Sequence, residues 1–187
     1  QKIEIDSYIN QSEIIHKVNQ GEVFWYSYEA IDDEKQWVHV YIDKKGHELE
    51  GFIHKSRLIL LDKAPEYSGN EFHFLYHLSP FDSTNRDIVK TDGKWIVTID
   101  GHRPWGIDGY LPHIQLDSIS VKLNGEKIQV KTENFQDLYE VTNSFKVIKS
   151  GRYFIVYQMN SDGAGSYDLA WVFDKTGLKQ KLVGTII

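Results

Sequence analysis

The sequence predicts an all-β protein in which a small N-terminal barrel precedes a larger C-terminal β-sandwich or open barrel with one short helix. Apolar and polar residues alternate in short runs, which is the pattern of half-buried strands. Dipeptides that form tight turns, such as Asn124-Gly125, separate these runs. Aromatic residues make up 13% of the 187 residues and only one methionine is present, a composition that favours strands over helices.

Residues 1–62 contain several short apolar runs with polar turns between them, which is typical of a small barrel. In the central run, Trp37, His39 and Tyr41 occupy one face and alternate with valine and isoleucine on the other. The expected elements are a strand at Val23–Tyr28, a strand at Trp37–Ile42, a polar turn at Asp43–Glu50, a strand at Gly51–His54, and a tight turn into a last short strand over 55–61.

Three segments of this part resemble the bacterial Src-homology-3-like (SH3b) family: S-E-I-I-H-K-V-N-Q-G-E-V-F, W-V-H-V-Y and G-F-I-H-K-S-R-L. In that family a Gly-acidic-apolar step opens a strand, a tryptophan begins the central strand, and a Gly-aromatic-Ile step precedes the final turn. The matching positions in this sequence are Gly21, Trp37, Gly51, Phe52, Ile53 and Leu58.

The resemblance implies a non-catalytic module that binds peptides, cell-wall peptidoglycan or proteins and that is often exported. Trp25, Tyr26 and Tyr28 would then line the ligand groove, because aromatic side chains bind with little loss of conformational entropy. The alternation of strand residues equally allows every second one of these to face the core instead.

Residues 63–71 are predicted to link two domains. Pro65 and Gly69 lie there among polar residues, after one set of strands and before a new apolar run. Residues 72–187 then form the second domain, with about eight strands separated by turn signals.

Local patterns in the second domain predict its first strands and turns. A strand is expected to begin at Phe72, with Phe72, Phe74, Tyr76 and Leu78 on one apolar face. Asp92-Gly93 and Asn124-Gly125 are expected at hairpin tips. The apolar alternation changes phase after Leu116, which predicts a β-bulge near Asp117–Ser118.

One short helical turn is expected after the second hairpin. Thr132 can cap it, and Phe135, Leu138 and Tyr139 follow at helical spacing.

The segment His102–Pro112, called the connector below, joins two of these strands. It holds Arg103, Trp105 and Tyr110, the residue types that dominate interface energetics. Pro104 and Pro112 stiffen the chain between them, and the glycines allow special backbone dihedrals, so a rigid frame is predicted. We expect the connector to be a structural crossover that also presents a binding surface.

Candidate catalytic and metal-binding residues favour structural interpretations. Asp100, Asp108 and Asp162 could serve glycoside hydrolysis or calcium binding, yet each precedes a glycine and so predicts a tight turn. His102 or His113 could form an acid–base pair with Asp108, although no nucleophile accompanies them.

No cofactor or metal is expected. His73 and His77 share one face of a strand, but zinc needs at least a third protein ligand, and none is suggested locally. The glycine-rich loop N-S-D-G-A-G-S lacks the Lys-Ser/Thr step of a phosphate-binding loop.

Charge and composition exclude some partners. The net charge of −6 argues against nucleic acid, which requires a basic face, and permits a basic protein partner. No apolar run is long enough to span a membrane. The chain begins with Gln1, which fits a periplasmic or secreted protein after leader removal, or a cytoplasmic protein trimmed at its start.

The predicted function is protein–protein recognition without catalysis, for example by an immunity or inhibitor protein that neutralises a basic toxin. One alternative is a factor that binds peptidoglycan peptides, and a second is a carboxylate-based hydrolase of the cell envelope. The sequence leaves the oligomeric state open.

Overall fold

The computed structural model describes residues 3–6, 14–27, 36–44 and 47–185. The chain divides into two compact units, Gln1–Pro65 and Glu66–Ile187. The protein is all-β, as the sequence predicts, with 53% of residues in strands and helical segments that are all shorter than seven residues in the described part.

The described residues of the first unit form a five-stranded antiparallel sheet. Val38, Val40 and Ile42 are buried, whereas Trp37 on the opposite face is exposed, so the predicted alternation of the central strand is confirmed. The strands are β1 (Ile3–Asp6), β2 (Ile14–Val18), β3 (Trp25–Tyr26), β4 (Trp37–Lys44) and β5 (His47–His54), in the spatial order β2-β1-β5-β4-β3.

Several predicted element bounds in this unit are wrong. The predicted turn Asp43–Glu50 is mostly strand, because β4 and β5 stay paired as far as Lys44 and His47. The strand predicted at Val23–Tyr28 is shorter in the structure, where β3 comprises only Trp25–Tyr26. Tyr28 lies outside the described residues.

No strand forms over residues 58–61, which follow the 3₁₀ turn Lys55–Arg57. The amide of Leu58 donates to the carbonyl of Lys55, and the carbonyl of Leu60 accepts from Lys63 and Ala64. These backbone groups are used in local turns instead of a ladder. Likeness to an SH3b barrel stays a prediction.

The second unit contains three antiparallel sheets. Their spatial orders are β10-β9-β6, β11-β12-β13-β14 and β7-β8. The strands are β6 (Phe72–Pro80), β7 (Ile88–Thr91), β8 (Trp95–Ile99), β9 (Ile114–Leu123), β10 (Glu126–Ile128), β11 (Lys146–Ser150), β12 (Tyr153–Asn160), β13 (Tyr167–Asp174) and β14 (Gly177–Gly184).

One core lies between the three-stranded and the four-stranded sheet of this unit. Phe72 of β6 stacks on Phe154 of β12 with ring centroids 4.7 Å apart. The buried indole Nε1 of Trp171 donates to the hydroxyl of Tyr76 across 2.8 Å, which ties β13 to β6. Burial raises the pKa of Tyr76 and keeps this hydroxyl protonated.

The turn chemistry predicted for this unit is largely confirmed. Asp92 and Asn124 both adopt positive φ at the predicted hairpin tips. The predicted bulge is present, because His77 pairs with Ser118 and Leu78 with Leu116, which leaves Asp117 unpaired between them.

The predicted helical turn is a 3₁₀ turn at Thr132–Asn134, with Lys131 at the N-cap position and no side-chain cap. The prediction that Thr132 caps it is therefore wrong. Thr132 is the first residue of the turn, and its carbonyl accepts from Phe135 and Gln136.

Candidate functional site

The connector leaves β8 through a turn held by an ion pair. Asp100 has a φ of 51°, and its carboxylate accepts from the Arg86 guanidinium and from the amide of Asp87. These two hydrogen bonds lower the pKa of Asp100. Asp100 therefore acts as the turn residue that its Asp-Gly sequence predicts.

The first half of the connector is anchored on both sides. The amide of Trp105 donates to the carbonyl of Asp137, and its carbonyl accepts from Tyr139. Its half-buried indole packs against the core of the unit, and the Arg103 guanidinium lies 5.4 Å from the ring centroid.

Glycine is required directly after this tryptophan. Gly106 has a φ of 98°, and a Cβ there would lie 2.2 Å from the carbonyl oxygen of Tyr139. The same carbonyl accepts from the hydroxyl of Tyr167, which fixes its position. The hydroxyl of Ser161 donates to the carbonyl of Gly106 from the opposite loop.

The second half of the connector presents apolar side chains to solvent. Tyr110 is 56% exposed and Leu111 46% exposed. The Tyr110 ring meets the Trp95 ring edge-on at 5.2 Å, and the Lys94 ammonium lies 4.3 Å from the Trp95 ring centroid. The amide of Ile96 donates to the carbonyl of Gly109, so this exposed half is tied to β8.

A groove of about 680 Å³ lies beside this half, formed by residues from the segments 106–113, 140–144 and 159–162 of the second unit. Its volume falls within the range of about 300–1,000 Å³ that is usual for ligand sites. The described residues that line it include the carboxylates of Asp108, Glu140 and Asp162, and no lysine or arginine. The groove is therefore acidic.

Backbone strain concentrates at the groove. Of six non-glycine residues with positive φ in the described part of the chain, four are Asn or Asp, which tolerate this conformation well. The other two are Glu140 and Ser161, and both line the groove. Backbone strain of this kind is found preferentially at functional sites.

The Glu140 carboxylate has a structural task as well. One oxygen accepts from the backbone amides of His113 and Ile114 and lies 3.7 Å from Nδ1 of His113. Glu140 therefore joins the segment after Tyr139 to the end of the connector and fixes a negative charge at the groove.

One residue that lines the groove has a buried amide nitrogen without a hydrogen-bond partner among the described residues. This residue is Asn160, which is 1% exposed. Gln158 Nε2 donates to the carbonyl of Thr142 and to Asn160 Oδ1, which fixes the orientation of both amides. Asn160 Nδ2 has no hydrogen-bond partner in the described structure.

The predicted site residues lie in different places. Tyr110 lines the groove, and Trp105 and the exposed Arg103 belong to the anchored half of the connector. Trp25 and Tyr26 lie in β3 of the first unit, where Tyr26 packs against that unit's core. Tyr28 is outside the described residues.

The histidines considered as candidates for catalysis or metal binding lie at the surface. His113 contacts Glu140, and His102 Nε2 lies 2.9 Å from the side-chain nitrogen of Gln136. His73 and His77 are exposed, and His77 contacts Ser120. The described residues hold no group of three or more His, Cys, Asp or Glu side chains arranged for a metal ion.

Three residues that line the groove were not predicted from the sequence: Glu140, Met159 and Asn160. Met159 is 67% exposed although it lies within β12. Strand alternation around it could have placed this single methionine on an outer face. Glu140 and Asn160 have no such signal, because their roles depend on contacts with distant segments.

No protein-family model matches the chain, and searches of curated proteins and of solved structures give no match. Among the described residues, no helix is long and apolar enough to cross a membrane.

Proposed function

We propose that this protein is a non-catalytic binding protein that recognises a protein partner through its second unit, for example as an immunity or inhibitor protein that neutralises a basic toxin. An exported location belongs to the same proposal and rests on the resemblance of the first 62 residues to the SH3b family.

The observation that carries the proposal is a set of exposed apolar side chains at the acidic groove. We call Trp95, Tyr110, Leu111 and Met159 the apolar rim. Three of them line the groove, and Trp95 contacts Tyr110. Exposed aromatic, aliphatic and methionine side chains clustered beside a groove are typical of recognition surfaces.

The rim is held on a rigid frame. The backbone of β8 and the strained loop around Ser161 both bond to the connector. A surface that is ordered before binding loses little conformational entropy when a partner docks.

Charge indicates the class of partner. The chain has a net charge of −6, and the groove lining is acidic. Complementary charge accelerates encounter with a basic partner and disfavours acidic ones.

Selection from a displayed library of random linear peptides tests the proposal. We expect the immobilised full chain to enrich peptides whose binding is lost in the double variant Tyr110→Ser/Leu111→Ser. Leu75→Ser is the matched control, because Leu75 and Leu111 are both 46% exposed and Leu75 lies outside the groove lining.

Enriched peptides that bind the double variant as well as the unmodified protein would contradict the role of the rim. Turnover of a soluble glycan or ester by the full chain would contradict the proposal as a whole and favour the hydrolase alternative.

The peptidoglycan alternative has an observation of its own in the first unit. Trp37 is 37% exposed and meets the His54 ring at 5.3 Å, and on the same sheet His39 stacks on Phe52 at 5.0 Å. These rings form an aromatic strip along β4 and β5. Sedimentation of the protein with purified cell wall, lost in Trp37→Ala and retained in Tyr110→Ser/Leu111→Ser, would favour this alternative.

A further inference from the structure

The groove combines three features that one kind of residue satisfies together. Its carboxylates favour a cation, its rim favours an aliphatic chain, and Asn160 Nδ2 is an unpaired hydrogen-bond donor. From these we infer that the groove binds a lysine or arginine residue of the partner, with the side chain in the groove and a main-chain carbonyl on Asn160. This inference rests on the proposed function and names the residue type recognised.

The cationic part of the ligand follows from the carboxylates. Glu140 exposes only 22% of its side-chain surface and is held by two backbone amides, so its charge is fixed and partly shielded from water. Fixed charges in partly buried positions interact more strongly with a ligand than mobile surface charges do. Asp162 is exposed and its side chain makes no capping bond at the Gly163–Gly165 turn, which leaves it accessible to a cation.

The position of Asp108 supports the same assignment. A Cβ on Gly165 would lie 2.7 Å from Asp108 Oδ1, so the glycine allows this carboxylate to sit close against the 163–165 turn. Asp108 and Asp162 thus come from two loops that converge on one groove. No lysine or arginine among the described lining residues neutralises them.

The aliphatic part follows from the rim. Lysine and arginine carry a stem of methylene groups that packs on apolar surface while the charged end stays in a polar environment. Tyr110, Leu111 and Met159 supply that surface at the groove. Methionine adapts its shape to different chains, so the site accepts either basic residue.

The carbonyl group of the proposed ligand is inferred from the side-chain nitrogen of Asn160. Its amide orientation is fixed through Gln158 by the carbonyl of Thr142, so the free end is a donor and requires an acceptor. A carboxylate ligand would be repelled by the three acidic side chains, whereas a neutral peptide carbonyl would not. The pairing of a donor for a carbonyl with acids for a cation selects a basic residue within a peptide chain.

The test is a titration of the ¹⁵N-labelled full chain, followed by NMR, with three blocked amino acids. The probes are the N-acetyl, N-methylamide forms of lysine, arginine and norleucine, the last being an uncharged analogue of lysine. We expect lysine or arginine, and not norleucine, to shift the amide signals of residues 106–113 and 159–162. The side-chain NH₂ signals of Asn160 should move downfield as they gain an acceptor.

A matched pair of variants locates the charge effect. Asp162→Asn should weaken the binding of the basic probe by about threefold, as expected for one exposed charge. Asp92→Asn removes the same charge from another Asp-Gly turn that does not line the groove, and should leave the binding unchanged. Both variants keep a residue that tolerates a turn, so both should fold.

Equal shifts from norleucine and lysine, no shift from either basic probe, or an unchanged affinity in Asp162→Asn would each overturn the inference. If the inference fails while displayed peptides still depend on Tyr110 and Leu111, the proposal of protein recognition is retained, and its contacts are apolar. If the basic probes bind while no displayed peptide depends on the rim, the groove binds a basic residue and the role of the rim in protein recognition is contradicted.

Discussion

The two halves of the connector have opposite surroundings. Trp105 and Gly106 are bonded to the 137–139 segment and to Ser161, and Trp105 packs against the core. Tyr110 and Leu111, only a few residues later, are exposed at the acidic groove. A rigid first half positions a second half that is free to contact a partner. The residues that hold the loop are therefore different from the residues that face outward.

The largest effect is expected at the glycine that ends the anchored half. Gly106→Ala adds a Cβ that clashes with the carbonyl of Tyr139 and requires an unfavourable φ of 98°. We expect a loss of more than about 3 kcal/mol in the free energy of unfolding, because backbone must move to relieve the clash. Urea unfolding monitored by tryptophan fluorescence measures it.

Gly101→Ala is the control for the backbone conformation alone. Gly101 has a φ of 78° but open space around the added Cβ. It should lose only about 1–2 kcal/mol, the cost of a left-handed conformation. Equal losses in the two variants would show that close packing at Gly106 contributes nothing.

The second-largest effect on the free energy of unfolding is expected at the aromatic residues, and it should differ between the two halves. Trp105→Ala should lower the free energy of unfolding by about 2 kcal/mol, because the half-buried indole leaves a gap beside the core. Tyr110→Ala should change it by less than about 0.5 kcal/mol, as expected for an exposed side chain. Thermal unfolding of both variants checks this, and a reversed order would contradict the division of the connector into two halves.

The smallest effect concerns the ion pair at the start of the connector, and it depends on pH. The pKa of Asp100 is lowered in the folded protein, chiefly by the hydrogen bond from Arg86. The pair therefore stabilises the fold above the ordinary carboxyl value of 3.8, and this contribution is lost as the pH falls below it. Arg86→Ala should cost less than about 1 kcal/mol at neutral pH, since both groups are partly exposed.

The loss caused by Arg86→Ala should shrink in acid, and urea unfolding at a series of pH values from about 7 to well below about 3.9 follows it as the carboxyl group is protonated. The Asp100→Asn background is the control, because the part of the Arg86→Ala loss that depends on pH should vanish there. A loss that is constant with pH would mean that Arg86 acts only through Gln115 and the Phe81 ring.

Local patterns were sufficient to predict much of the fold. Alternation placed Phe72, Phe74 and Tyr76 on one buried face, and the phase change after Leu116 located the bulge at Asp117. Both features depend on residues adjacent in the chain. The strand predicted over 55–61 failed because its backbone bonds are made locally, within turns that apolar periodicity does not detect.

The candidate site was predicted only in part, for a physical reason. Tyr110 was singled out by its residue type, and it does line the groove. Trp105 is also of a residue type that is favoured at interfaces, yet its indole packs against the core of its unit. Glu140 acquires its role by accepting from the amide of His113, and Asn160 by accepting from Gln158, which also donates to the carbonyl of Thr142. Only the fold brings these segments together.

The most direct test of the central claim is site-specific photo-crosslinking in the source cells. A photo-reactive amino acid replaces Tyr110 in one variant and Leu75 in another, since both side chains are exposed and only Tyr110 lines the groove. We expect a discrete protein adduct from position 110 that is absent from position 75, with a basic partner identified by mass spectrometry. Equal adducts from both positions, or no protein adduct from position 110, would contradict the central claim.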